Sequence, residues 1–216
     1  VVLASAAFAT ALFGRWWKLI GAVTHPLKIT AIRRENDHTV SITLGGKAAR
    51  RIEAEAGQFV VVRLLREGQW WKANPYSLSA APDGTSLRIT VKDRGDASNA
   101  LITAKVGDRV AVEGPFGVQT KDIFDGRRPL LIAGGVGVTP VCSILATLPE
   151  RSAPIVLLRA HSNDDLPLLA EITAHTERLG GKVRTVIGPT ASLKQRSPFS
   201  ADALRGAVGR LDECVA

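Results

Sequence analysis

The chain has 216 residues, of which 45% are hydrophobic and 22% are charged, as in ordinary globular proteins of one large or two modest domains. Its formal net charge of +8 would suit an anionic partner, but the basic residues are scattered and aromatic residues are not interleaved with them. This pattern argues against nucleic-acid binding. The two cysteines, Cys142 and Cys214, are far apart in the sequence and predict no disulfide framework. Neither they nor the four histidines show the spacing of a zinc site, so no metal site is predicted.

The first element is a charge-free run over residues 1–14, followed at once by Arg15, Trp16, Trp17 and Lys18. Three interpretations are open: the core of a signal peptide, a buried soluble helix, or the end of a membrane-spanning helix. A signal peptide has its positive charges before the apolar run. A helix of this length covers only about 21 Å of a bilayer core about 30 Å thick.

Paired tryptophans beside basic residues are typical of the cytoplasmic membrane interface. The chain also contains no methionine, which is expected of a processed product or an excised piece. We therefore predict that residues 1–20 are the end of a transmembrane helix, with the remaining domains at the membrane on its cytoplasmic side.

A β pattern extends over residues 25–123. Alternating or continuous apolar runs predict strands at 27–32, 39–44, 59–65, 87–91 and 109–113. Glycine, proline and aspartate cluster between these runs and predict turns. Several short strands at such spacing predict a small antiparallel barrel.

From residue 128 onward, strand and helix patterns alternate. Strands are predicted at 129–133, 155–159 and 183–187, and helices at 139–148, 166–179 and 200–208. This alternation predicts an α/β domain over 128–216, with a parallel sheet and crossover helices. The short polar stretch at 121–128 is the predicted border between the two domains.

A glycine-rich turn lies where the first parallel strand meets its helix. It contains Gly134, Gly135 and Gly137, and Thr139 and Pro140 follow at the start of the helix. Backbone N–H groups and the helix dipole can bind a pyrophosphate there, and no side chain blocks its approach. An ordinary tight turn without a ligand is the alternative, but the strand and helix on either side favour nucleotide binding.

Three segments, at 74–79, 113–117 and 133–140, resemble the ferredoxin–NADP reductase superfamily. More narrowly, residues 74–82 followed by 138–145 resemble its ferric reductase and NADPH oxidase branch, whose reductase unit follows a haem-binding transmembrane domain. The resemblance covers about residues 25–216. It implies a six-stranded FAD-binding barrel at 25–123, an incomplete NAD(P)H-binding domain at 128–216, and haem in a domain upstream.

The resemblance also assigns roles to single residues. Tyr76 would pack against the flavin, and Ser77, the predicted catalytic residue, would lie near the N5 atom that receives hydride. Gly95 and Ser98 would begin a short helix on the FAD pyrophosphate. The predicted cofactor-binding set is Asn74, Pro75, Tyr76, Ser77, Leu78, Gly95, Ser98, Gly134, Gly135, Val136, Gly137, Thr139, Pro140, Arg159 and Ser162. The alternatives are that Tyr76 and Ser77 are strand residues without a ligand and that Ser98 only caps a turn.

Two features depart from the family pattern. Asn74 stands where the family has arginine, or histidine in the oxidase branch, so either FAD binding is weaker or Lys72 or Lys92 supplies the charge. The family's Cys-Gly-Pro motif beside the nicotinamide is not found before Ala216, and Cys214 is not equated with it.

The resemblance implies an enzyme that passes electrons from NADPH or NADH through FAD to a one-electron acceptor, namely haem, ferric iron or dioxygen. Haem of a membrane domain is the expected acceptor. One alternative is a soluble-type reductase component for an iron–sulfur protein or an oxygenase, and another is a non-catalytic module that keeps the fold. Arg159 and Ser162, at the end of the second parallel strand, favour the 2′-phosphate of NADPH.

Overall fold

The computed structural model describes residues 26–188, 206 and 214–215. Its first part is an antiparallel sheet of six strands in the order β4-β3-β6-β1-β2-β5. A bridge between Leu78 and Ile89 connects the two outer strands and closes the sheet into a barrel. The strands are β1 (Leu27–Asn36), β2 (Thr39–Gly45), β3 (Phe59–Leu64), β4 (Asn74–Ser77), β5 (Ser86–Lys92) and β6 (Arg109–Phe116).

The barrel core is formed by the apolar side chains that alternate along these strands, and Ile42, Val60, Ile89 and Val110 are completely buried there. The five strands predicted from hydrophobic patterning are all present. The pattern did not predict β4, because four residues including a proline carry no clear alternation. Proline is tolerated in this strand because it lies at the edge of the sheet order.

A short helix, α1 (Asp96–Ile102), connects β5 to β6, and a 3-10 helix at Lys121–Phe124 leads out of the barrel. The second sheet follows, with all strands parallel in the order β10-β7-β8-β9. It contains β7 (Arg128–Gly134), α2 (Val138–Leu145), β8 (Ile155–Ala160), α3 (Leu169–Arg178), β9 (Lys182–Ile187) and β10 (Cys214–Val215). The antiparallel sheet followed by a parallel one confirms that part of the predicted fold class.

The elements of the α/β domain agree with the predicted alternation, but α2 ends at Leu145 rather than at Leu148, and further differences lie at one helix start and at the end of the chain. Helix α3 begins at Leu169 rather than at Leu166, because Pro167 disfavours a helical backbone at the residue before it. Of the helix predicted at 200–208 only Gly206 is described, and it is helical.

Within residues 26–188 and the two short C-terminal pieces, no helix has the length and apolar character needed to span a bilayer. The predicted end of a transmembrane helix, at residues 1–20, lies outside the described residues.

One buried hydroxyl connects the two domains near the start of β3. Ser143 of α2 accepts a hydrogen bond from the N–H of Gly57 at 3.3 Å and donates one to the carbonyl of Ala80 at 2.9 Å. Gly57 has φ +92, and a Cβ there would lie 2.0 Å from the carbonyl oxygen of Gln119. Only glycine fits at this position, which agrees with a structural role for the start of β3.

A second connection is an ion pair between β5 and α3. The guanidinium of Arg88 lies 2.6 Å from the carboxylate of Glu171 and also donates to the carbonyl and the hydroxyl of Ser79. Arg33 of β1 reaches the same carboxylate at 3.3 Å. Because two strands of the barrel domain meet one acidic side chain of the α/β domain, this cluster helps to fix how the domains are oriented.

Candidate functional site

A cleft of about 350 Å³ lies where β4, the turn before α1 and the glycine turn meet. Its volume is within the range of about 300–1,000 Å³ that is usual for small-molecule sites. Three segments that the sequence analysis selected separately therefore contribute to one cleft. The lining residues are Asn74, Pro75, Tyr76, Thr90, Lys92, Arg94, Gly95, Asp96, Ser98 and Val136.

Tyr76 is the residue of β4 whose environment most clearly suits a ligand. Its ring packs partly against the barrel core, and its hydroxyl is buried without a regular hydrogen bond to any described residue. Burial raises the pKa of the Tyr76 phenol, and the neighbouring Asn74 side chain opposes that rise only in part. Buried hydroxyls nearly always have a partner, so a polar ligand atom that reaches this hydroxyl would satisfy it. The site thus fits a bound cofactor such as FAD.

Tyr76→Phe provides a direct test of that hydroxyl. In the cofactor-free chain we expect a melting temperature equal to or slightly above that of the wild type, because removing a buried hydroxyl without a partner relieves a desolvation cost of about 1 kcal/mol. FAD affinity should instead fall several-fold, because the hydrogen bond to the ligand is lost. Thermal melts and flavin fluorescence titrations measure the two effects, and a variant with lower stability and unchanged affinity would contradict both expectations.

The two residues after Tyr76 are placed differently from the prediction. Ser77 ends β4 opposite Phe59 and is half-buried, but it is not among the residues that line the cleft, so its catalytic role stays a prediction. Leu78 does not line the cleft, and its place in the cofactor-binding set stays a prediction. Its side chain is completely buried in the barrel core, and its N–H donates to the carbonyl of Gln58 at 2.9 Å. By strand alternation Leu78 lies on the same face as Tyr76, which packs partly against the same core.

Gly95 and Ser98 form the turn that leads into α1. Ser98 accepts a hydrogen bond from the N–H of Arg94 and donates one to the carbonyl of Gly95, both at 2.8 Å. Its hydroxyl is therefore engaged within the chain, inside the helix whose N-cap is Gly95, and its role at the FAD pyrophosphate stays a prediction. Gly95 has φ +132, and nothing lies within 4 Å of a Cβ added there, so its backbone is open to a ligand.

The glycine turn is equally open. Gly135 has φ +54, and a Cβ added at Gly135 or Gly137 would meet no atom within 4 Å. Gly134 is favoured for a different reason, since a Cβ there would make a tight contact of 3.1 Å with the carbonyl oxygen of Arg159 in β8. The buried hydroxyl of Thr139 donates to the carbonyl of Val136 at 3.1 Å and stabilises the turn. Pro140 lies in the first turn of α2, where its missing N–H costs nothing.

Arg159 and Ser162, predicted to bind the 2′-phosphate, are both engaged within the chain. The guanidinium of Arg159 donates to the carbonyls of Ala160 and Gly188, at the ends of β8 and β9. Ser162 donates to the carboxylate of Asp165 at 3.1 Å. The preference for NADPH stays a prediction, and the structure gives Arg159 a second role in satisfying strand-end carbonyls.

One cluster of potential metal ligands is present that the sequence spacing did not reveal. Cys142, Glu171 and His175 place one ligand atom each within 4.8 Å of one another, because α2 and α3 pack side by side. The guanidinium of Arg88 lies in the same cluster, 2.6 Å from Glu171 and 3.9 Å from the sulfur of Cys142. Burial raises the pKa of the Cys142 thiol to about 12. A fixed cation beside a protonated thiol makes this a poor place for a metal ion.

Comparisons with known proteins agree with this geometry. Residues 26–120 match the family model of the oxidoreductase FAD-binding domain. A flavohemoprotein of Bacillus anthracis is 32% identical over 181 residues, which cover 78% of this chain and 42% of that protein. The chain thus spans about two fifths of the length of such curated relatives.

Solved structures show the same fold at low identity. A ferredoxin NADP+ reductase from Neisseria gonorrhoeae with bound FAD and NADP has a TM-score of 0.69 at 16% identity, over 88% of this chain and 82% of that one. The flavohem-like FAD/NAD binding domain of nitric oxide dioxygenase from Vibrio cholerae O1 biovar El Tor has a TM-score of 0.64 at 24% identity, over 76% of this chain and 78% of that one. Residues 26–120 therefore match the oxidoreductase FAD-binding domain family, and the chain shares the fold of these reductases.

Proposed function

We propose that the chain is the reductase part of an FAD-dependent NAD(P)H oxidoreductase. The observation that carries this proposal is the single cleft lined by residues 74–76, residues 94–96 and Val136. Bound there, FAD would accept a hydride from NAD(P)H and pass its electrons on singly.

The residues of the chain divide this work between binding and alignment. Asn74, Tyr76 and the backbone at Gly95 would hold FAD, and the open turn from Gly134 to Thr139 would hold the pyrophosphate of NAD(P)H. Val136 belongs to that turn and also lines the flavin cleft, so the two cofactors would be held next to each other. The contribution of the protein to the rate is then mainly this positioning.

The acceptor is proposed from the relatives. A flavohemoprotein and a ferredoxin NADP+ reductase indicate a haem or an iron–sulfur protein as the one-electron partner. They favour a soluble-type reductase component over a ferric reductase. A second proposal, attachment to the cytoplasmic face of a membrane with haem or ferric iron as acceptor, depends on residues 1–18, where an apolar run ends in tryptophans and basic residues.

Reconstitution with FAD tests the function. We expect saturable quenching of flavin fluorescence, then loss of the visible flavin absorbance when NADPH or NADH is added without oxygen. Cytochrome c and a plant-type ferredoxin then serve as haem and iron–sulfur acceptors. A chain that folds but binds no FAD would contradict the proposal and favour a non-catalytic module, while FAD binding without reduction by either nucleotide would contradict its NAD(P)H step.

A further inference from the structure

The charges around the cleft nearly cancel, with one exception. Lys92 of β5 pairs with Asp165 of the α/β domain at 2.7 Å, and Lys72 pairs with Asp96 at 3.8 Å. These are the two lysines that the sequence analysis named as substitutes for an arginine at position 74. Each already has an acidic partner, so neither adds net positive charge to the cleft.

Arg94 is the exception. Its side chain is exposed and lines the cleft, and its guanidinium makes no hydrogen bond or ion pair with any of the described residues. Its backbone, in contrast, is fixed, because its N–H donates to the buried hydroxyl of Ser98 at 2.8 Å. A side chain that is free to reorient on a fixed backbone can therefore reach a ligand without breaking an existing contact.

We propose that Arg94 neutralises the pyrophosphate of FAD in place of an arginine at position 74. This inference rests on the proposed binding of FAD. A guanidinium offers several N–H donors in a planar fork that suits phosphate oxygens, whereas the amide of Asn74 can donate a hydrogen bond but brings no charge. Lys92 would have to leave Asp165 to do the same, and that ion pair opposes its movement.

The test compares Arg94→Gln with Arg50→Gln in the full 216-residue chain. Both variants remove one positive charge, but Arg50 is exposed at the 3-10 helix Lys47–Arg51 and does not line the cleft. We expect the Kd for FAD to rise about tenfold or more in Arg94→Gln, as for a charged hydrogen bond, and to change little in Arg50→Gln. The affinity of Arg94→Gln should also depend less on ionic strength than that of the wild type.

A double variant distinguishes the loss of positive charge in the cleft from a change in the shape of the cleft. Adding Asn74→Arg to Arg94→Gln returns a guanidinium to the cleft and should recover most of the lost FAD affinity. No recovery, equal FAD affinities of Arg94→Gln and Arg50→Gln, or a larger loss in Lys92→Gln than in Arg94→Gln would each overturn the role of Arg94. Failure of the folded wild type to bind FAD would overturn the proposed function and this inference together. If the wild type binds FAD, the outcomes above overturn only the role of Arg94, so the two failures are distinguishable.

Discussion

Gly137→Val is expected to slow the reduction of bound FAD by NADPH at least about 100-fold without unfolding the protein. Gly137 has an ordinary φ of −63, and a Cβ added there meets no atom within 4 Å. The valine therefore fits the folded chain but occupies the space from which a pyrophosphate would approach the glycine turn. A displacement of about 1 Å between reacting groups can cost about a hundredfold in rate.

Rapid-mixing absorbance at saturating FAD gives the rate of this step. Dithionite, which needs no nucleotide site, should reduce the flavin of wild type and variant equally, and the Kd for FAD should be unchanged. If NADPH reduces Gly137→Val as fast as the wild type, the nucleotide does not use this turn. If FAD binding falls as well, the turn serves the flavin and not the nucleotide alone.

Arg88→Ala is expected to lower the free energy of unfolding by about 2–3 kcal/mol, which corresponds to roughly 4–12 °C in melting temperature for a chain of this size. Arg88 is mostly buried, with 18% of its side chain exposed, and it donates to Ser79 and Glu171 from the same guanidinium. Its removal leaves a half-buried carboxylate with the more distant Arg33 and His175. Thermal or urea unfolding measures the loss.

The pH dependence of this loss in unfolding free energy tests whether the Glu171 carboxylate is responsible for it. Burial alone would raise the pKa of Glu171, but the hydrogen bonds and charge of Arg88, followed by Arg33, outweigh it and lower the pKa. Such a group stabilises the folded state fully above its unfolded pKa of about 4.3, and this contribution is lost as the pH falls through the lower folded value. The difference in stability between wild type and Arg88→Ala should therefore narrow as the pH falls below about 4. The control is the Glu171→Gln background, in which the loss of stability caused by Arg88→Ala should lack this narrowing.

Local patterns in the sequence predicted much of this structure. These elements are five barrel strands, three parallel strands and the glycine turn. Each depends on residues that are close together in the chain, and the periodicity of apolar residues indicates such local structure directly. The flavin segments at 74–78 and 95–98 were located only by family resemblance. The structure then placed most of them on one cleft.

The sequence could not predict features that depend on which side chains meet across the fold. Arg94 and Arg88 are indistinguishable from other arginines until their partners are known. The same holds for Glu171, which is 83 residues from Arg88 in the chain. Leu78 follows the Tyr-Ser pair directly, but only the complete burial of its side chain shows that it lies in the core. These features are tertiary, and no local pattern specifies them.

The hydroxyl of Ser143 bears on how freely the two domains could be exchanged between relatives. It belongs to the helix that follows the glycine turn, yet its two partners, Gly57 and Ala80, lie in the barrel domain. A chimera that joins this barrel to a foreign α/β domain without a hydroxyl at this place would leave the N–H of Gly57 and the carbonyl of Ala80 without that partner. Its two domains would fold separately but meet in a looser alignment. The domains are therefore separate units in the sequence, but their contact surfaces are specific to each other.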